Sequence, residues 1–136
     1  MFKALGRDRV SDNTTIARAM FDAFQSGDMD AARAILANDF TGSQNGGPDM
    51  SRDVLLGFSG AVKAAVPDFR YEEIVCAATP DGFVEEHTVR GTLPDGEAIN
   101  LRLCVVGTVE NGKVTSLREY LDSAGAAGLA KALAGG

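Results

Sequence analysis

The chain has 136 residues, 45% of them hydrophobic and 24% charged, and a net charge of −6. That length supports one domain with its own core, and the acidity argues against nucleic acid or an anionic membrane as partner, because both would repel it. A single histidine, His87, and two distant cysteines, Cys76 and Cys104, supply no zinc or iron ligand set and no redox pair, so no metal and no cofactor is expected.

No apolar run reaches the length of a membrane span, and residues 1–9 lack the apolar stretch of a signal peptide, so a cytoplasmic protein is expected. Residues 1–10 read as a loosely held arm. Ser11, Asp12 and Asn13 then offer N-caps for a helix whose buried stripe is Ile16, Ala17, Met20, Phe21 and Phe24. Ser26-Gly27-Asp28 stops it. Asp28 caps a second helix with Ala32, Ile35 and Leu36 inward, ending near Asn38. Phe40 and Thr41 suit a short strand before the breaker-rich residues 42–48. A third helix starts near Ser51, with Val54, Leu55, Phe58, Ala61, Val62, Ala65 and Val66 on one side, and Pro67 ends it.

From Phe69 the period changes to two. Residues 69–78 and 83–92 read as strands, separated by Pro80-Asp81-Gly82 and followed by a turn at Pro94-Asp95-Gly96. Two further arms, residues 98–106 and 113–122, meet at Asn111-Gly112, a strong hairpin signal because both turn residues need positive φ. An alanine-rich helix with a Ser123 cap occupies residues 123–133 of a C-terminal segment, 123–136, and leans on the sheet through Leu129 and Leu133. Helices first and an antiparallel meander afterwards make one α+β domain over residues 1–136.

Strand register decides which side chains share a pocket. A two-residue Asn111-Gly112 turn sets Cys104 opposite Glu119 and Arg102 opposite Leu121. At Leu93-Pro94-Asp95-Gly96, a type I turn closed by a glycine bulge sets Glu86 opposite Cys104 and Thr88 opposite Arg102; a two-residue turn would instead bring His87 across from Cys104. The positions of proline and glycine favour the bulge. One face then carries Glu86, Thr88, Arg102, Cys104, Val106, Leu117, Glu119 and Leu121, and His87 points away from it. Covered by helices, this face is a partly apolar cavity in which a glutamate holds its proton and serves acid–base chemistry. Open to water, it is a surface on which Arg102 pairs with the glutamates, the more ordinary arrangement. The opposite face, with Leu101, Leu103, Val105 and Tyr120, suits a homodimer contact.

The order of elements resembles the nuclear transport factor 2-like superfamily. Several pieces resemble its SnoaL-like branch of polyketide cyclases and isomerase-like proteins. They are Ser26-Gly27-Asp28, Val66-Pro67-Asp68-Phe69, Gly91-Thr92, and Asn111-Gly112-Lys113-Val114 running into Arg118-Glu119-Tyr120-Leu121-Asp122. The resemblance implies a cone-shaped curved antiparallel sheet closed by N-terminal helices. Limonene epoxide hydrolases offer the longest parallel, through Leu93-Pro94-Asp95-Gly96, Asn100-Leu101, Gly112-Lys113-Val114-Thr115 and Leu117-Arg118-Glu119-Tyr120-Leu121-Asp122. Of that family's Asp-Arg-Asp triad, Glu119 keeps one carboxylate, while Thr88 replaces the other aspartate and Glu86 the arginine. Asn45 matches its asparagine, and Ser43 stands at its tyrosine. Ketosteroid isomerase positions fall near Gln44, Met20 and Cys104, and none keeps its group.

The resemblance implies a cofactor-independent acid–base enzyme, an isomerase, cyclase or hydrolase, on a small hydrophobic polyketide-, terpene- or steroid-like ligand. Glu119 and Glu86 would be catalytic. Gln44, Asn45, Phe58, Thr88, Arg102, Cys104 and Leu117 would contact substrate. The alternative is a non-catalytic ligand-binding or dimerising module on the same fold.

Overall fold

The computed structural model describes residues 2–135, with side chains from residue 13 onward. The first helix, α1 (Phe2–Ser26), buries Ala17, Met20, Phe21 and Phe24, the stripe its periodicity marks. It is not capped at Ser11–Asn13. It runs through that point, and Asn13 turns inward to donate Nδ2 to the Thr79 carbonyl at 3.3 Å. The side chains of the expected loose arm lie outside the described residues. Gly27, at φ 79°, lets the chain leave the helix. Asp28 then caps α2 (Met29–Ile35), accepting from the Ala31 amide at 3.1 Å.

Helix α2 stops at Ile35, short of Asn38, because Leu36 is already extended and opens β1 (Leu36–Gln44). This strand is longer than expected because it has a partner the local pattern does not reveal: it runs parallel to β6 (Lys113–Leu121). A two-residue strand, β2 (Met50–Ser51), leads into α3 (Arg52–Ala65), whose cap is Ser51. Pro67 follows the end of α3, as its missing N–H requires.

The other strands are β3 (Arg70–Thr79), β4 (Gly82–Thr92) and β5 (Ala98–Glu110). The six lie in the order β2-β1-β6-β5-β4-β3, an unclosed curved sheet in which only β1 and β6 pair in parallel. Helices α1 and α3 pack on its inner side, and α4 (Ala127–Gly135) packs against α3. The turn into α4 is built by Asp122, whose Oδ1 accepts from the Ala124 amide at 3.0 Å, rather than by Ser123. Among the described residues no helix is long and apolar enough to cross a membrane.

The β4–β5 register is the bulged one. Gly96, at φ 91°, donates its amide to the Leu93 carbonyl at 2.8 Å, and Glu86 pairs with Cys104 and Thr88 with Arg102. The β5–β6 hairpin also turns at Asn111 and Gly112, both with positive φ. Two pairs further on it departs from the simple register. Val109 pairs with Val114 but Thr108 pairs with Ser116, leaving Thr115 unpaired in a β-bulge. Beyond it every side chain of β6 changes faces, so Glu119 lies opposite Val105 and Arg118 opposite Val106.

The face expected from the simple register is therefore split. Leu117, Glu119 and Leu121 face inward beside Leu101, Leu103 and Val105. Glu86, Thr88, Arg102, Cys104 and Val106 share the outer side. The supposed dimer face is core: Leu101, Leu103 and Val105 are 6%, 7% and 2% exposed. Of that group only Tyr120 is outside.

Because Thr115 has no ladder partner, deleting it removes the bulge and leaves Ser116 opposite Thr108, Leu117 opposite Gly107 and Glu119 opposite Val105. We expect the deletion variant to melt cooperatively within a few degrees of the parent, with Leu117 still buried. A fall in Tm of roughly 10 °C or more, as loss of roughly 1.5–3 kcal/mol for each leucine turned to solvent would give, would contradict the assigned register.

Candidate functional site

Between the inner sheet face and α3 and α4 lies a cavity of about 200 Å³. Its floor is Leu101, Leu103, Val105 and Leu117, and Phe58 of α3 with Leu129 and Leu133 of α4 form its roof. Five residues of acid–base or hydrogen-bonding character line this apolar space: Gln44, Ser59, Tyr71, His87 and Glu119.

Glu119 owes its inward direction to the bulge and its nearest partner to the parallel β1–β6 pair. That pairing sets Gln44 beside it, and Gln44 Nε2 donates to Glu119 Oε1 at 3.2 Å. Burial raises the Glu119 pKa above the ordinary carboxylate value, opposed by the Gln44 hydrogen bond and, when its ring is charged, by nearby His87. Tyr71 is pushed up as well, by burial and then by the negative charges of Glu119 and Glu85. Its phenol stays protonated and can only donate toward an anion.

His87 is 1% exposed, and its Nδ1 lies 2.6 Å from Oε2 of Glu85, which is fully buried. Glu85 Oε1 accepts from Arg18 Nη1 of α1 at 3.2 Å, which offsets the cost of burying a carboxylate. Cys76 lies alongside, its thiol pushed up to about 11 by burial and by Glu85, so it is an inert neighbour. The His87 ring is held by aromatic edges, with centroids 5.0 Å from Phe21 and 4.4 Å from Tyr71.

Among the residues singled out by sequence, Gln44, Phe58, Leu117 and Glu119 line the cavity. Asn45 does not. Held at φ 53°, it donates Nδ2 to the Leu121 carbonyl at 3.0 Å and accepts from the Leu121 amide at 2.9 Å, so both ends of its amide clip β1 to the end of β6. Glu86, Thr88, Arg102 and Cys104 are on the opposite side of the sheet for the reason given by Thr115. Arg102 Nη1 donates to Thr88 Oγ1 at 3.2 Å and to the Glu73 carbonyl at 2.8 Å, and its Nη2 lies 3.7 Å from Glu86. Glu73, at φ 53° in a bulge of β3, also pairs with Arg90. This is the solvated ion-pair surface, with Glu86 over half exposed, and it takes no part in the cavity.

The sequence reading missed Glu85, Tyr71 and Arg18, and it turned His87 away from the cavity that His87 in fact lines. One signal pointed to them. Val114 and Leu117 are three apart in β6, an odd spacing that cannot place both on one face without an extra residue.

A curved sheet closed by helices over an apolar cavity with an inward acid defines a nuclear transport factor 2-like protein. The sequence model of the SnoaL-like domain matches residues 17–117, and the chain belongs to that family. Similar solved structures include a candidate polyketide cyclase from Xanthomonas campestris pv. campestris, with 24% identity, TM-score 0.74 and coverage of 84% of this chain and 93% of that one. An LEH-like epoxide hydrolase from M. tuberculosis shares 20% identity at TM-score 0.73, covering 94% and 93%. A nuclear transport factor 2-like protein from Burkholderia xenovorans LB400 shares 22% at TM-score 0.73, covering 91% and 97%. At these identities they establish the fold. No curated protein matches the chain.

The raised Glu119 pKa has a consequence for stability. The folded chain binds that proton more tightly than the unfolded chain, so the site imposes no penalty below the ordinary value of 4.5 and its full penalty above the raised folded value. Glu119→Gln keeps an acceptor for Gln44 and removes the charge. Its Tm should exceed that of the parent at pH 8, with the difference closing as the pH falls to 4. A lower Tm at pH 8 would mean that the ionised carboxylate is well solvated.

Proposed function

We propose that this protein is a cofactor-independent acid–base enzyme acting on a small, mostly apolar molecule. The observation that carries the proposal is the Glu119 carboxyl at the wall of an apolar cavity, held by Gln44 and biased by burial toward its protonated form. A carboxyl with a raised pKa can give a proton and take one back near neutral pH. In this reading Glu119 is the acid–base group, Gln44 fixes its orientation, and the Tyr71 phenol donates to a substrate oxygen. Phe58 and Leu117 supply apolar contact.

Cavity size narrows the ligand. About 200 Å³ is below the roughly 300–1,000 Å³ of drug-sized sites and somewhat above the ~150 Å³ that holds benzene. A one-ring polyketide or terpene fragment fits that space better than a steroid does. The neighbours named polyketide cyclase and epoxide hydrolase are consistent with a small-molecule reaction. The Asp-Arg-Asp route is disfavoured, since Thr88 and Glu86, the residues matched to it by spacing, lie on the outer side of the sheet.

Carboxyl-resolved NMR titration, followed by a ligand and turnover screen of single-ring hydrophobic compounds, tests the proposal. Glu119 should titrate above its ordinary value, and Glu119→Gln should retain ligand binding while turnover falls by about 10²-fold or more. An ordinary titration, together with ligands that bind but are not converted by the parent protein, would establish the non-catalytic binding module instead.

A further inference from the structure

We propose that His87 is a second proton-transfer group of this cavity, presenting Nε2 as a neutral base because the buried Glu85 holds the ring's proton on Nδ1. The inference rests on the acid–base reading of Glu119 and adds a partner to it. Three observations support it. Glu85 is fully buried yet ion-paired to Arg18, which favours the carboxylate, and a carboxylate can only accept hydrogen bonds. The 2.6 Å contact to His87 therefore needs a proton on Nδ1, which in the neutral ring leaves Nε2 unprotonated. With Nδ1 so engaged, Nε2 makes no hydrogen bond to any described residue, while the ring forms part of the cavity wall.

Placement supports the pairing with Glu119. Glu85, Val105 and Glu119 form one row across β4, β5 and β6, and His87 is the next inward residue after Glu85. The two proton-handling groups thus stand on either side of β5, with Leu103 and Val105 between them as an apolar floor. A molecule lying on that floor can lose a proton to Nε2 and receive one from the Glu119 carboxyl at a different atom. The products are an imidazolium paired with Glu85 and a Glu119 carboxylate; return of one proton from His87 to Glu119 through solvent restores both. Atoms and charge balance with no co-reactant. Glu85 and Arg18 act in this scheme as positioning residues and do not touch the substrate.

Because His87 is the only histidine, the test is unambiguous in the intact protein. Long-range proton–nitrogen spectra of uniformly labelled protein at pH 7.5 should show a protonated Nδ1 and an unprotonated Nε2. Diethyl pyrocarbonate should modify Nε2 in the folded chain. In Glu85→Gln the new amide can donate to Nδ1, moving the ring proton to Nε2, so modification should slow by tenfold or more. Glu85→Asp, which keeps a carboxylate acceptor, should restore most of it. A proton on Nε2 in the parent, an imidazolium at pH 7.5, or a ring inert to the reagent until the chain unfolds would each overturn the proposal. The parent spectrum decides the tautomer even if Glu85→Gln fails to fold. The Glu119 titration reads a different group, so either inference can fail without obscuring the other.

Discussion

The single unpaired residue Thr115 constrains the rest of the molecule, because a strand with a two-residue period has no gradual way to change faces. Leaving Thr115 out of the ladder shifts the pairing of everything after it by one residue, and that shift puts Glu119 over the same apolar floor as His87. It also brings Leu117 and Leu121 into the core, so packing and chemistry depend on the same defect. The bulge is held from the other side by β1. Asn45 clips its side chain onto Leu121 as if it were one more rung of the ladder, and Gln44 reaches the Glu119 carboxylate.

The sheet then separates two kinds of electrostatics. On the outer side Arg70, Arg90 and Arg102 meet Glu72, Glu73 and Glu86 in water, where individual pairs contribute little to stability. On the inner side, among the described residues, Arg18 is the arginine paired with the fully buried carboxylate of Glu85, and that pair is costly to break, since removing Arg18 would strand Glu85. A fold selected only for stability could satisfy that position with an apolar residue.

Much of the architecture was legible in the chain. The stripe of α1, the Asp28 and Ser51 caps, Pro67, and the hairpins at Gly96 and Asn111-Gly112 are local signals whose geometry the structure retains, whereas the α3 stripe holds only in part: Val54 and Phe58 are 58% and 46% exposed and Leu56, outside the stripe, is buried. The β4–β5 register followed from proline and glycine positions in one turn. The β5–β6 register did not follow from its turn, because the bulge lies two pairs beyond it and its only trace is the odd spacing from Val114 to Leu117. The length of β1 was hidden for a different reason: a parallel partner nearly eighty residues away leaves no local pattern. In β4, inward Glu85 and His87 alternate with outward Glu86 and Thr88, two polar series that composition alone cannot assign to faces. Glu119 was singled out from strand register and Gln44 by resemblance, and their partners were lost through one residue of register.

The account therefore stands on how β6 is paired with β5, and that pairing can be read directly in solution. Cross-strand backbone nuclear Overhauser effects should connect Glu119 with Val105 and Arg118 with Val106, with Thr115 lacking a partner. Effects connecting Glu119 with Cys104 and Leu117 with Val106 would place the carboxylate on the outer side of the sheet. The cavity would then have no Glu119, and the acid–base account would be wrong.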